Sequence, residues 1–261
     1  MTKKIKDLVK ATYTAAIQSN SGCCAPSCCT PENEMNFSES YEGIDGYDQQ
    51  ADFGLGCGLP TEYAKIKEGD TVLDLGSGAG NDTFVARSVV GPSGKVIGID
   101  MTKAMIDKAN ENKHKLDYKN VEFVLGEIEN MPISSDSIDV VVSNCVMNLV
   151  PDKVQAYKEV HRVLQPNGHF SISDIVLSGD LPEGIKKAAT LYANCISGAL
   201  TKKEYIGAIE KAGFQNTTIL TERPIELPDS LLLQYITPDE VKKYRESENG
   251  IVSITVYADK K

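Results

Sequence analysis

The chain has 261 residues, of which 41% are hydrophobic, and it carries a formal net charge of −10. This length is enough for one sizeable α/β core with appendages and too short for two full domains. The acidic balance disfavours a nucleic-acid backbone or an anionic membrane as the main partner and favours a small molecule. No apolar run approaches the roughly 18 residues of a membrane-spanning helix, so we expect a cytoplasmic protein.

The chain begins with a predicted helix over residues 1–18, where apolar side chains recur at helical spacing. Residues 19–60 are rich in Gly, Pro, Ser and acids, and they predict a long functional loop or lid. From residue 71 onward strand and helix alternate, which is typical of a parallel sheet covered on both faces. The predicted strands are 71–75, 95–100, 121–126, 138–144 and the segment HFSISDIV. The predicted helices lie near 81–90, near 102–116 with Thr102 as the cap, and after Pro151, where Pro166-Asn167-Gly168 breaks the last helix after Leu164.

The last third of the chain predicts an extension of this core. Residues 178–213 are predicted to be mostly helical, with an amphipathic helix ending at Gly213. Strands near 215–221 and 250–258 are expected to close the sheet as an antiparallel pair, with a solvated helix or loop between them. We therefore divide the chain into an N-terminal helix and Cys-rich lid (1–60), an α/β, Rossmann-like core with a mostly parallel sheet (61–177) and a C-terminal α+β extension (178–261).

A glycine loop follows the first predicted strand. The segment DLGSGAG at 74–80 has the spacing G-x-G-x-G and not the G-x-G-x-x-G of a dinucleotide binder. Asp74 would repel a pyrophosphate there, whereas it can pair with the ammonium of an amino-acid moiety. Asp100 ends the second strand, where an acidic side chain accepts both ribose hydroxyls of an adenosyl ligand. Both carboxylates therefore predict S-adenosylmethionine, which has the ammonium and no phosphate.

These motifs resemble those of the class I S-adenosylmethionine methyltransferases over about residues 60–175. The resemblance implies that Met101 flanks the adenine and that Gly126-Glu127-Ile128 borders its edge. For Glu127, an ordinary surface carboxylate is an equally good interpretation. The complete predicted donor-binding set is Asp74, Gly76, Ser77, Gly78, Gly80, Asp100, Met101, Gly126, Glu127 and Ile128.

Three cysteines lie in three different kinds of segment: directly after a predicted strand, in a predicted helix and in a glycine-rich stretch. Cys145 comes directly after the fourth strand and so should lie at the ligand edge of the sheet, although a small buried hydrophobe is an equal alternative. Cys195 lies in a predicted helix, where a core cysteine would be ordinary. Cys57 lies in GLGCGLP, where no apolar periodicity requires a buried thiol.

The segments GCGLP, LDLGSGAGND, GIDMTKAM, SNCVMNLVPDK and NCISGAL resemble, in this order, the arsenite S-adenosylmethionine methyltransferases over about residues 55–200. This resemblance implies arsenite methylation in arsenic detoxification. It implies that Cys145 and Cys195 bind trivalent arsenic and that Cys57 belongs to the same thiol set. The implied partners are arsenite or its thiol conjugate and a thioredoxin- or glutathione-type reductant, with no tightly bound metal cofactor.

The chemistry of arsenite agrees with this resemblance. Trivalent arsenic is a soft centre that exchanges oxygen ligands for thiolates, and its lone pair needs no proton removed before it attacks a methyl group. A general base is then unnecessary. The histidines of the chain are accordingly predicted to lie away from the pocket in structural or solvated positions: His114, His161 and His169.

Seven cysteines in a cytosolic chain predict metal-binding or catalytic thiols more readily than structural disulfides. Four form a cluster whose spacing departs from the C-x-x-C of zinc sites: Cys23, Cys24, Cys28 and Cys29. Three interpretations stay open, namely collection of arsenite for Cys57, supply of reducing equivalents, and a flexible exposed segment.

Two other functions remain open at the level of sequence. A methyltransferase for a small organic acceptor shares the same donor motifs and predicts turnover that does not require Cys145. A thiol-based arsenic- or zinc-binding sequestration protein predicts tight metal binding without methyl transfer. The intact glycine loop and its two flanking carboxylates disfavour sequestration.

Overall fold

The computed structural model describes residues 2–18, 38–186, 198–247 and 249–261. Two parts of the predicted thiol chemistry lie outside these ranges, namely Cys195 and the cluster at residues 23–29, together with most of the predicted Cys-rich lid. Among the described residues, no helix is both long and apolar enough to cross a bilayer.

A seven-stranded sheet forms the centre of the molecule. Its strands are β1 (Thr71–Leu75), β2 (Lys95–Asp100), β3 (Val121–Leu125), β4 (Ile138–Asn144), β5 (Leu164–Leu177), β6 (Gln215–Ile225) and β7 (Ile251–Asp259), in the spatial order β3-β2-β1-β4-β5-β7-β6. The pairings among β1 to β5 are parallel, and β7 is antiparallel to both β5 and β6. The predicted α/β, Rossmann-like class with a mostly parallel sheet is confirmed.

Helices pack against the sheet. They are α1 (Thr2–Gln18), α2 (Pro60–Tyr63), α3 (Asn81–Val90), α4 (Lys103–Lys115), α5 (Lys153–Val163), α6 (Glu183–Lys186), α7 (Lys202–Lys211), α8 (Asp229–Leu232) and α9 (Pro238–Glu246). The side chain of Asp152 caps α5 through the Gln155 N–H, and Thr201 and Thr237 open α7 and α9 with capping boxes. Thr102 occupies the N-cap of α4 as predicted, but its hydroxyl makes no capping hydrogen bond.

The end of α5 differs from the prediction. The sequence predicts a helix that includes Leu164 and is broken by Pro166-Asn167-Gly168, yet α5 ends at Val163 and β5 begins at Leu164. A proline disfavours helical backbone at the residue before it, so the helix stops early. The three turn residues instead form an irregularity in the β4–β5 pairing, fixed by a hydrogen bond from the Asn167 N–H to the Lys260 carbonyl at 3.0 Å.

The main core lies between the sheet and helices α5 and α7. Tyr157 on α5 packs against Phe170 of β5 and Tyr205 of α7, with ring centroids 5.8 and 6.0 Å apart, and all three side chains are fully buried. Full burial of a large apolar side chain contributes roughly 1.5–3 kcal/mol. Because β6 and β7 belong to the same sheet as β1 to β5, this core spans the predicted boundary at residue 177, and the three-part division stays a prediction.

Candidate active site

A cavity opens at the carboxyl ends of β1, β2 and β4. The strand order reverses between β1 and β4, and this switch point is where open α/β sheets bind their ligands. The cavity lining contains nine of the ten predicted donor-binding residues together with Cys145: Asp74, Gly76, Ser77, Gly78, Asp100, Met101, Gly126, Glu127 and Ile128. The structure thus brings the two predicted parts of the site to one cavity.

The glycine loop is held against the end of β2. The backbone N–H groups of Gly76 and Ser77 donate to the Ile99 carbonyl at 2.7 and 3.0 Å, and that of Gly78 donates to Asp100 Oδ2 at 3.1 Å. Gly76 has a φ of +66°, and a Cβ there would clash with the side chain of Val146. Only glycine therefore fits at this turn without strain.

Gly80 is the predicted donor residue that does not line the cavity. It is the N-cap of α3 with a φ of +105°, and a Cβ there would lie 2.7 Å from the ring of Phe84. Its glycine is accounted for by packing and backbone conformation. A direct contact with a ligand stays a prediction for this residue.

Three carboxylates face the cavity, of which Asp74 and Asp82 are buried and Asp100 is partly exposed. Burial raises the pKa of Asp74 well above its usual value, and the charge of Asp82 raises it further, while the Thr83 hydroxyl donates to Asp74 Oδ2 at 2.6 Å. Burial also raises the pKa of Asp82 to about 6 and raises that of Asp100. Clustered acidic groups in low dielectric disfavour their own ionisation, and a cationic ligand reverses this effect.

Asp82 is a residue that the sequence analysis did not select. It closes the DLGSGAGND segment, lies in the first turn of α3 and lines the cavity. The phenol of Tyr41 donates to its Oδ1 at 2.7 Å, and the amide of Asn144 donates to its Oδ2 at 3.2 Å. An acidic residue just after the glycine loop was the available signal.

Asn144, the last residue of β4, connects Asp82 to the segment that contains Cys57. Its Oδ1 accepts a hydrogen bond from the Cys57 N–H at 2.9 Å, and its Nδ2 lies 2.7 Å from the Gly58 carbonyl and 2.8 Å from Tyr41 Oη. The Cys57 carbonyl is held on the other side by the Ser253 hydroxyl at 2.6 Å. The loop is therefore anchored to both β4 and β7.

The structure brings two of the three predicted thiols together. Cys57 and Cys145 are both buried, and neither is in a disulfide. Their sulfur atoms and a carboxylate oxygen of Asp174 all lie within 4.8 Å of one another. Cys145 has a φ of +59°, and its N–H donates to the Ser173 carbonyl at 2.8 Å. A non-glycine residue in this left-handed region stores backbone strain, which is common at functional sites.

Asp174 is the second residue that the sequence analysis missed. Its side chain is fully buried, its Oδ1 accepts from the Ile175 N–H at 2.9 Å, and its Oδ2 accepts from the Tyr205 hydroxyl at 3.2 Å. Burial raises its pKa to about 7, against the opposing effects of the Ile175 N–H and the charge of Lys153. A lone acid inside the buried strand segment SISDIV was the signal that could have identified it.

Helix α1 covers part of the cavity. Its residues Val9 and Tyr13 contribute to the lining, and Lys6 forms ion pairs with Glu127 at 2.8 Å and Glu129 at 2.9 Å. The hydrogen bond from Lys6 lowers the pKa of Glu127. Glu127 lines the cavity and forms ion pairs with Lys6 and Lys10 of α1, while its place beside the adenine stays a prediction.

The histidines lie elsewhere in the described structure. His161 packs edge-on against Phe214 with ring centroids 5.1 Å apart, and His169 Nε2 lies 2.6 Å from the Ala64 carbonyl. His114 is in the last turn of α4. None of the three is among the described residues that line the cavity.

Comparison with known proteins identifies relatives of this arrangement. A family profile described as a methyltransferase domain matches residues 66–213. The arsenite methyltransferase of Halobacterium salinarum is 40% identical, covering 83% of this chain and 59% of the relative, and that of Homo sapiens is 39% identical, covering 69% and 50%. The crystal structure of CrArsM, an arsenic (III) S-adenosylmethionine methyltransferase from Chlamydomonas reinhardtii, superposes with a TM-score of 0.66 at 33% identity, covering 87% of this chain and 73% of that one.

Sheet topology, the cavity at the switch point and the matched domain define a class I methyltransferase. With the identity to the algal enzyme added, the chain belongs to the family of the arsenite S-adenosylmethionine methyltransferases. It spans about half the length of the curated relatives it matches.

Proposed function

We propose that this chain transfers methyl groups from S-adenosylmethionine to trivalent arsenic held by its cysteines. The observation that supports this most directly is that Cys145 lines the same cavity as the carboxylates of Asp74, Asp82 and Asp100. A thiol in the same cavity as acidic side chains suits a soft acceptor next to a cationic donor. The similarity to enzymes named arsenite methyltransferases points to the same pair of substrates.

These carboxylates fit the donor. Asp74 and Asp82 would hold the ammonium of its amino-acid moiety, and Asp100 would accept the ribose hydroxyls. All three side chains face the cavity. Burial raises the pKa of each carboxyl group, and a cationic ligand would stabilise the ionised forms. Met101 and the segment 126–128 would border the adenine. When bound, S-adenosylmethionine supplies an electrophilic methyl group on a sulfonium.

The thiols fit the acceptor. Cys57 and Cys145 would bind arsenic together with Cys195, which lies outside the described residues. Each exchange of an As–OH ligand for a cysteine sulfur forms an As–S bond and releases water, so the thiol proton leaves without a separate base. Soft thiolate ligands are preferred over oxygen by such a centre.

Positioning supplies most of the catalysis in this scheme, because the arsenic lone pair carries no proton. Forming the new As–C bond with that lone pair raises the formal oxidation state of arsenic by two. A thiol reductant of the thioredoxin or glutathione type returns the two electrons and becomes a disulfide. The reducing cytoplasm is the compartment that suits this requirement.

Mass-spectrometric arsenic speciation tests the proposal. The purified chain is mixed with S-adenosylmethionine, arsenite and a thiol reductant, beside Cys145→Ser and the neighbouring control Ser143→Ala. We expect methylarsenicals from the wild type and the control and none from Cys145→Ser, whose affinity for S-adenosylhomocysteine stays within about twofold of wild type. Absence of methylated arsenic from a wild type that binds S-adenosylhomocysteine would overturn the proposal and favour an organic acceptor.

A further inference from the structure

Asp174 gives the buried cysteine pair a third ligand atom of a different chemical kind. Cys57 and Asp174 are fully buried and Cys145 is 5% exposed, and one sulfur from each cysteine and one carboxylate oxygen lie within 4.8 Å of one another. The three come from the loop before α2, the end of β4 and the interior of β5. Long-range folding therefore assembles two sulfurs and one oxygen at a single buried point.

Within the described residues, this mixed ligand set differs from the all-thiol set that trivalent arsenic prefers. Arsenic selects thiolates, whereas a mixed set of sulfur and oxygen is typical of borderline divalent cations such as Zn²⁺. Zinc–ligand bonds of about 2.0–2.3 Å place the ligand atoms of a tetrahedral centre roughly 3.5–3.8 Å apart. No two of the three ligand atoms are more than 4.8 Å apart, so the approach that each pair needs is at most about 1.3 Å, which side-chain rotations can supply.

Charge and access also suit a cation. Two thiolates and one carboxylate carry three negative charges when deprotonated, so a divalent ion compensates most of them. Cys145 lines the cavity, which gives solvent a route to the cluster. Three protein ligands, of which Cys145 lines the cavity, leave a fourth coordination position for water, as in zinc sites that are not purely structural.

We propose that Cys57, Cys145 and Asp174 form a binding site for a thiophilic divalent cation such as Zn²⁺, for which Cd²⁺ is the spectroscopic probe. Binding releases the two thiol protons, and the carboxyl proton where it is present, to solvent. The cation and arsenite compete for the same two sulfurs, so an occupied site blocks methyl transfer. That competition rests on the proposed function, whereas cation binding itself does not.

Cadmium titration of the full-length chain tests the site. The parent protein retains only Cys57 and Cys145, with serine at the other five cysteine positions so that their thiols do not contribute. Bound cadmium is measured by equilibrium dialysis, and cadmium–thiolate bonds are measured by their ultraviolet charge-transfer band. We expect one Cd²⁺ per chain and a band intensity that corresponds to two thiolates.

The carboxylate is tested by Asp174→Asn in that parent, beside Asp139→Asn as a control. Asp139 is a partly buried carboxylate at the opposite end of β4, where it accepts from the Thr71 N–H at 2.8 Å. We expect Asp174→Asn to weaken cadmium binding by about tenfold or more with the two-thiolate band retained at saturation, and Asp139→Asn to leave the affinity unchanged. Equal affinities in the parent and Asp174→Asn would overturn the proposal.

X-ray absorption at the cadmium edge provides a test that does not depend on the folding of any Asp174 variant. We expect the cadmium of the parent protein to have two sulfur neighbours and a shell of oxygen. A shell of sulfur alone, or no cadmium bound by a folded parent, would overturn the proposal. Neither outcome affects the proposed function, because methyl transfer to arsenic is measured separately by arsenic speciation.

Discussion

The side-chain carbonyl of Asn144 accepts a hydrogen bond from the backbone N–H of Cys57 at 2.9 Å, across 87 residues of sequence. Asn144 is also the residue immediately before Cys145. One amide thus fixes the segments of both thiols relative to each other. The separation of the two sulfur atoms therefore depends on the position of the Asn144 side chain.

Replacing this amide should loosen the Cys57 loop. We expect Asn144→Ala to lower the free energy of unfolding by about 1–3 kcal/mol, because it removes the hydrogen-bond partner of the Cys57 N–H and of the Gly58 carbonyl. The rate at which a disulfide reagent modifies Cys57 should rise. The control is Asn148→Ala, which also removes a buried amide, one that donates to the Ile175 carbonyl at 2.6 Å. Equal reactivity of Cys57 in both variants would contradict this role of Asn144.

Backbone strain at Cys145 predicts that glycine is not less stable than alanine at this position, which reverses the usual order of stability. Left-handed backbone costs a non-glycine residue roughly 1–2 kcal/mol, and Cys145 has a φ of +59°. Cys145→Gly should therefore be at least as stable to urea as Cys145→Ala. At the extended position of Ser143, two residues earlier, glycine should be less stable than alanine by about 0.5–1 kcal/mol. The same ranking at both positions would show that Cys145 is not strained.

Asp82 should weaken the ligand-free fold at neutral pH. Burial raises its pKa from 3.8 to about 6, so the folded state binds more protons than the unfolded state between these values. Its contribution to stability is therefore lost as pH rises from about 4 to 6. We expect Asp82→Asn to raise the unfolding free energy at pH 7 by about 1–3 kcal/mol, measured by urea denaturation, since Tyr41 and Asn144 can still hydrogen bond to the amide.

The same substitution should weaken donor binding. A ligand ammonium favours the ionised carboxylate, so the affinity of the wild type for S-adenosylhomocysteine should fall as pH drops below about 6. Asp82→Asn should bind about tenfold or more weakly at pH 7 and show a smaller pH dependence, as measured by titration calorimetry. The exposed control Asp107→Asn should match wild type. A destabilised Asp82→Asn with unchanged affinity would refute both expectations.

Lys6 should control how closely α1 covers the cavity. Lys6→Gln removes the ion pairs to Glu127 and Glu129, each of which contributes about 0.2–1 kcal/mol at a partly exposed site. We expect faster amide hydrogen exchange in residues 6–17 and faster association of S-adenosylhomocysteine. Lys103→Gln breaks a pair within α4 instead and should change neither rate. Unaltered exchange in Lys6→Gln would mean that apolar contacts alone hold the helix.

The elements from 71 to 144 could be predicted closely, because alternating buried strands, glycine breaks and helical periodicity are local signals. The irregular start of β5 could not, since it depends on a hydrogen bond between residues 167 and 260. In the site, Asp74 and Asp100 are marked by the glycine loop beside them. Asp82 and Asp174 acquire their surroundings from Tyr41, Asn144 and the two cysteines, and this proximity exists only once the sheet is assembled.

The position of β7 constrains the order in which this sheet can form. The last strand along the chain lies between β5 and β6, and its residues Ile254 and Val256 are fully buried. During synthesis β6 leaves the ribosome before the strand that joins it to the sheet. A nascent chain that has emerged as far as residue 225 therefore leaves one edge of β5 and both edges of β6 unpaired. These edges invite chaperone binding or aggregation until β7 pairs with both strands.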